Sequence, residues 1–286
     1  MKRIISNIRI VFCSAAVSVR KMFKNVTFWL LIVYALMFWF LYALGVRQLA
    51  AEYDYGVTPF LLPLFFSDGI YGMYGKLMLC LVTCNAPFLD RQSMFTLQRT
   101  GCTAWSIGQM IYIVLANIIF MAIMMATQVI FLFPHLTISD KWGSVLYTIA
   151  NLPEVISDYG GYGYINGSMI LGMEATTALT MQLVLCVLLG SVVGAVIFLI
   201  NGLTHSGFGG IFAVGCMILT NWLSEIALDR GLDFDKLFLF RWLNIGDYMS
   251  GTYDFVTNVL LLVLMFLALA VLSCVCVKKR WIRTTE

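Results

Sequence analysis

Six long apolar stretches, separated by polar segments whose charges sort to opposite sides, restrict this sequence to one class of fold. A helix rises about 1.5 Å per residue, so about 20 apolar residues cross the ~30 Å hydrocarbon core of a bilayer. Stretches of that order lie near 26–46, 69–88, 107–133, 179–200, 208–228 and 255–277. None shows the period-two alternation of a barrel strand, and backbone groups in lipid must be paired within the segment, so helices are predicted. The expected fold class is an all-α polytopic membrane protein, a single transmembrane domain over 1–286 with six transmembrane helices and outer loops at 134–178 and 229–254. With 61% hydrophobic and only 12% charged residues, the composition excludes a soluble globular domain.

Lysine and arginine set the orientation. Twelve of the 18 basic residues fall in the N-terminal, second-to-third and C-terminal segments: Lys2, Arg3, Arg9, Arg20, Lys21, Lys24, Arg91, Arg99, Lys278, Lys279, Arg280 and Arg283. Only two of the 15 acids, Asp90 and Glu286, accompany them. The positive-inside rule then puts both termini in the cytoplasm, which agrees with an even span count. The eight cysteines fall in spans or in the basic segments, so no disulfide framework is expected.

The first 25 residues read as mature sequence rather than as a cleaved signal, because the basic stretch is too long for an n-region. Ile4, Ile5, Ile8, Val11, Phe12, Ala15, Val19 and Phe23 recur at helical spacing, with Arg3, Asn7, Ser14, Ser18, Lys21 and Lys24 on other faces. That pattern predicts an amphipathic helix lying in the inner interface.

Catalytic chemistry is not evident. The sequence carries no G-x-x-x-x-G-K-[ST] phosphate loop, no H-E-x-x-H pair and no G-x-S-x-G elbow, so no catalytic or metal-ligating residue is assigned and no enzyme activity is expected. Its histidines, His135 and His205, fall on opposite sides of the membrane in this topology. The run Tyr159-Gly160-Gly161-Tyr162-Gly163-Tyr164 reads as an outside turn. Nothing points to a nucleic-acid partner.

The segment from Asp90 to Gly101 is too long for a tight turn between spans two and three. Met94, Phe95 and Leu97 supply an apolar face, Arg91 and Gln98 a polar one, and Gly101 is placed to end a short helix. Ala86-Pro87-Phe88-Leu89-Asp90-Arg91 through Leu97-Gln98-Arg99-Thr100-Gly101, followed by Trp105, Gly108 and Gln109, resembles the inner loop of bacterial ATP-binding-cassette permeases of the type-2 exporter family. The layout resembles that family over the whole chain: an amphipathic helix before the first span, six spans, and a cytoplasmic coupling helix after the second. The resemblance implies that Asp90, Arg91, Phe95, Leu97 and Arg99 couple the chain to a separate cytoplasmic ATPase subunit, which would carry ATP and magnesium; this chain would hold no cofactor. It also implies a second permease subunit, identical or related. Where members usually carry their largest outer elaboration between spans five and six, this chain has the longer segment between spans three and four.

Lys76 and Glu225 are ionisable residues at membrane depth, which costs about 2.5–3.5 kcal/mol at a helix centre and makes each a functional candidate. The alternative is that Lys76 reaches outward and pairs with Glu225 or Asp68. Asn117 and Gln128 in span three, with Gln109, and Gln182 in span four are candidates for helix pairing or for lining a translocation path. Gly190-x-x-x-Gly194 permits close helix approach and reads as packing within the chain. The function implied is the permease subunit of an exporter moving a hydrophobic or amphipathic substrate, a peptide, lipid-linked molecule or drug, through membrane lipid. The alternative is a non-transporting scaffold or sensor whose inner loop docks a cytoplasmic partner.

Overall fold

The computed structural model describes the backbone of residues 2–87, 95, 97, 99–159, 163, 165–204, 207–230 and 238–285. In chain order the helices are α1 (Lys2–Lys24), α2 (Val26–Tyr53), α3 (Leu61–Ser67), α4 (Gly69–Val82), α5 (Cys102–Leu132), α6 (Gly143–Asn151), α7 (Val155–Asp158), α8 (Gly167–Gly172), α9 (Ala175–Thr204), α10 (Phe208–Asp229), α11 (Gly246–Met249) and α12 (Phe255–Thr285), with a 3-10 turn at Leu239–Leu243. Among the described residues the β structure is one bridge between Val57 and Leu136. Five helices, α2, α5, α9, α10 and α12, contain segments long and apolar enough to cross a membrane. Their exposed faces carry Trp29, Leu30 and Val33 on α2, Ile211 and Trp222 on α10, and Leu264 and Val271 on α12. Such faces are stable when the solvent is hydrocarbon, and the chain is a helical, membrane-embedded protein.

The stretch expected at 69–88 forms a shorter helix. α4 has 14 residues, about 21 Å of rise, and by itself falls short of the ~30 Å hydrocarbon thickness. It starts where Asp68 Oδ1 accepts the amides of Ile70 (2.8 Å) and Tyr71 (2.7 Å), a capping arrangement that ends α3 and opens α4. Gly72 allows the two to fold back closely, since a Cβ there would lie 2.6 Å from the Phe66 carbonyl oxygen. The buried α3, with Leu61, Leu62, Leu64, Phe65 and Phe66, lies within the bundle and packs on α4, α5 and α9.

α1 lies against α5, with a different face inward from the one its apolar pattern indicates. Ser14, Ala15, Ser18 and Met22 are buried, whereas Phe12, Val17 and Phe23 are exposed, as are Arg9, Arg20 and Lys24. Ser14 reaches Gly108, where an added Cβ would lie 2.8 Å from its own Cβ, and Ser18 Oγ accepts from Gln109 Nε2 at 2.9 Å. Small residues win the inner face because they let two backbones approach. Asn25 then caps α2 by accepting the Thr27 amide at 2.9 Å.

The segments expected as outer loops fold into a cap. Trp142, Val145, Leu146 and Ile149 recur at one-turn spacing and are buried, with Met169 and Ile170 of α8 and Phe240, Trp242, Leu243 and Ile245 further on. Val57 donates to the His135 carbonyl at 2.7 Å, Thr58 Oγ1 to the Trp142 carbonyl at 2.7 Å, and Trp142 Nε1 to the Met173 carbonyl at 2.7 Å. The run 159–164 lies outside the described residues except for Tyr159 and Gly163; Gly163 sits against the Tyr42 ring.

Candidate functional site

The polar residues singled out in the sequence fall into two groups plus the segment before α5. In the first group, α5 and α9 run antiparallel in close contact, because Gly190 faces Asn117 and Gly194 faces Ile113. A Cβ on Gly190 would lie 2.2 Å from Asn117 Oδ1, so the small-residue pair serves packing within the chain. That register sets Gln182 opposite residue 125, one turn from Gln128. Asn117 Nδ2 bonds its own helix at the Ile113 carbonyl (2.9 Å), and Gln182 Nε2 contacts Cys186 Sγ at 3.2 Å. Asn117 Oδ1, Gln182 Oε1 and both amide atoms of Gln128 are buried without a hydrogen-bond partner. Unpaired buried amides are costly, so this seam offers neutral donors and acceptors to any polar group admitted between the helices.

The second group lies at the end of the bundle that carries the acidic segments. Lys76 on α4 is half-buried and donates to Asn221 Oδ1 of α10 at 3.2 Å. Arg241, Asp247 and Glu225 lie within electrostatic reach of its ammonium. The expected pairing with Glu225 or Asp68 is thus replaced at contact distance by the uncharged Asn221, while Glu225 is exposed and Asp68 caps α4. Arg241 Nε bonds Asp247 Oδ2 at 3.0 Å, and Asn244 Nδ2 bonds Asp247 Oδ1 at 3.2 Å. Tyr248 donates to the Trp242 carbonyl (3.0 Å) and accepts from Asn258 Nδ2 of α12 (2.9 Å). Burial pushes the Tyr248 hydroxyl up to about 12, with Asp247 and Asp254 adding and Asn258 opposing, so it remains the neutral donor this network needs. Asp254, ahead of α12, is held below the usual carboxylate range by the Thr257 hydroxyl and amide. The cluster ties α4, α10, the 3-10 turn, α11 and α12 together. Sequence reading reached Lys76 and Glu225 by their depth but missed Asn221 and Asn258, which have no charge to mark them.

These contacts set the expected result for Lys76→Met. The change removes one hydrogen bond and a charge that sits near Arg241, so it should lower stability by no more than about 1 kcal/mol. Asn221→Leu leaves the half-buried ammonium unpartnered and should cost more, about 1–3 kcal/mol. Thermal unfolding in detergent checks both. Recovery of a Lys76→Met loss by adding Glu225→Gln would show that Glu225 is the operative partner instead.

At the opposite, basic end, Asp90 and Arg91 lie outside the described residues. Phe95, Leu97 and Arg99 are helical; Leu97 is buried, whereas Phe95 is 65% exposed and Arg99 exposed. The grouping of Phe95 with Leu97 on one apolar face therefore does not hold: one turns inward and the other outward. Gly101 ends this turn as its position indicates, its amide bonding the Leu97 carbonyl at 2.9 Å with φ +81, a conformation L side chains disfavour. Asn201, unnoticed in the sequence, fastens the same end. From α9 its Nδ2 donates to the carbonyls of Cys84 (3.1 Å) and Ala86 (2.8 Å), and its Oδ1 accepts the Gly209 amide of α10 at 2.7 Å. One amide thereby joins the unwound end of α4, which leads into the 88–101 segment, to both α9 and α10. An asparagine just past a predicted span reads as an ordinary residue of the short connection between spans, so no sequence signal marks it as a joint.

Among the described residues no group of three or more His, Cys, Asp or Glu side chains is placed to hold a metal ion. In comparisons with known proteins, no family model matches the chain, and neither a curated protein nor a solved structure matches it.

Proposed function

We propose that the chain is the permease subunit of an ATP-driven exporter of the type-2 ATP-binding-cassette family, working with a separate cytoplasmic ATPase that carries ATP and magnesium. In this reading α4, with the turn after it, serves as the second of six spans, the basic end faces the cytoplasm of a bacterial cell, and a second permease subunit completes the path. The observation that carries the proposal is the arrangement before α5: Phe95 and Arg99 point away from the bundle while Leu97 anchors into it, and Asn201 links the adjacent chain to two long helices. A surface so anchored can pass a displacement of its partner to α9 and α10. The unpaired amides of Asn117, Gln128 and Gln182 provide polar groups for a path, with Lys76 and Glu225 at the acidic end.

Orientation is checked first. On a background without native cysteines, single cysteines at positions 5, 95, 205 and 284 should resist an impermeant thiol reagent in whole cells, and those at 55, 160 and 235 should label. Labelling of 95 or 205 from outside overturns the topology.

The coupling reading is tested with a cytoplasmic ATP-binding-cassette ATPase that co-purifies with the chain, co-reconstituted in vesicles. Arg91→Glu with Arg99→Glu should reduce ATP hydrolysis by the complex about tenfold or more, since reversing two charges at a contact costs several kcal/mol in like-charge repulsion. The double variant should insert and fold as the parent does. Unchanged hydrolysis and transport would remove this segment from the mechanism, and partner docking without any transport would favour the scaffold.

A further inference from the structure

A long groove runs between α5 and α12 in the half of the bundle nearer the basic end, lined by Ile107, Ile111 and Leu115 on one side and Leu267, Val271 and Cys274 on the other. Its lining is wholly apolar and it encloses about 570 Å³. The lined residues cover about two turns of each helix, about 12 Å along the axis, a length suited to the first eight to ten carbons of an extended chain. Apolar surface alone names no occupant, because the outward faces of α2, α10 and α12 are apolar as well. The charge at its mouth does. Lys278 continues the stripe of Leu267, Val271 and Cys274 one turn further on, is exposed, and lies within electrostatic reach of Cys102 at the start of α5. Thr103 is exposed on that first turn of α5. The groove thus has a cation where a phosphate would sit and hydrocarbon walls where its chain would descend, and among the described side chains at this mouth none is acidic.

We propose that this groove binds one acyl chain of an anionic phospholipid, with the lipid phosphate held beside Lys278. The site needs only the chain in a bilayer and does not depend on the export reading, so its test can fail while that reading stands. Cys274, a native thiol in the groove wall, reports occupancy.

The full chain is placed in nanodiscs of phosphatidylcholine alone or with phosphatidylglycerol, and alkylation of Cys274 by N-ethylmaleimide is followed by peptide mass spectrometry. Phosphatidylglycerol should slow Cys274 alkylation about fivefold, the ratio set by one lysine–phosphate contact at the membrane surface. Lys278→Gln should abolish that difference, while Lys279→Gln, about 100° round the helix, should keep it. Val271→Trp, at a position 66% exposed and therefore harmless to the fold, should fill the groove and remove the lipid dependence; Leu115→Trp serves as an independent filler. Equal protection in both lipids, or equal loss with Lys278→Gln and Lys279→Gln, overturns the proposal, the second outcome marking diffuse surface electrostatics. Protection by glycerol phosphate alone would show that no chain enters. Cross-linking of Leu267→Cys between copies in either lipid would show that a second copy of the chain fills the groove, and would equally overturn the lipid site.

Discussion

Gly190→Ala should destabilise the protein well beyond an ordinary surface change in a helix. The new Cβ would lie 2.2 Å from Asn117 Oδ1 and 2.8 Å from its Cγ, and Asn117 is fully buried, so its side chain or the two helices must shift. Overpacking of this kind costs about 1–3 kcal/mol. Because the obstructing atom belongs to a side chain, the loss should be reversible from the other helix. Asn117→Ala removes an oxygen that has no hydrogen-bond partner together with the Nδ2 bond to the Ile113 carbonyl, so by itself it should cost no more than about 1 kcal/mol, and combined with Gly190→Ala it should restore most of the melting temperature. Thermal unfolding in detergent for the two single variants and the double variant decides the matter. If Gly190→Ala instead changes the oligomeric state with the melting temperature intact, or if Asn117→Ala fails to rescue, the small-residue face meets something other than α5.

Asn201→Leu is the second change with a large expected effect. Leucine keeps the volume but deletes both donors to the Cys84 and Ala86 carbonyls and the acceptor for the Gly209 amide, leaving three backbone groups unpaired. Each buried group left so costs about 1–3 kcal/mol, so the total should reach about 3 kcal/mol or more. Asn201→Asp should not rescue, because a carboxylate can still take the Gly209 amide but faces two carbonyl oxygens with nothing to donate. A readout that a generally weakened fold would not give is local: the thiol of Cys84, a residue whose Cβ lies against Gly210 in the parent, should react faster with a permeant maleimide, while the buried Cys186 of α9 should not. A parent-like melting temperature and unchanged Cys84 reactivity in Asn201→Leu would show that the three bonds do not hold this end together.

Much of the architecture was legible because membrane insertion reads the sequence locally. A run of about 20 apolar residues finds its lowest free energy as a helix in hydrocarbon almost independently of its neighbours, so α2, α5, α9, α10 and α12 lie where hydropathy puts them. That α9 packs closely within the chain was legible too, because glycines four apart leave a smooth face, but which helix it meets was not. The cap was less so, although Trp142, Val145, Leu146 and Ile149 had the spacing of a buried helix face. Between two apolar spans that shorter pattern is easily taken for a loop.

Hydropathy by itself therefore determined that this chain lives in a membrane as a set of helices, and charge supplied the expectation of which segments share a side. Only the tertiary structure decided which polar residues meet. It ended the second apolar stretch at Val82, short of the expected residue 88, and set the separate buried helix α3 ahead of it across the Asp68 cap. It gave Lys76 to Asn221, turned the serine face of α1 toward α5, and made Asn201 the joint between α4, α9 and α10. These pairings join residues distant in sequence, such as Lys76 with Asn221 and Ala86 with Asn201. Their free energy depends on distances of a few ångströms between helices, a quantity set by packing and absent from any local window of the chain.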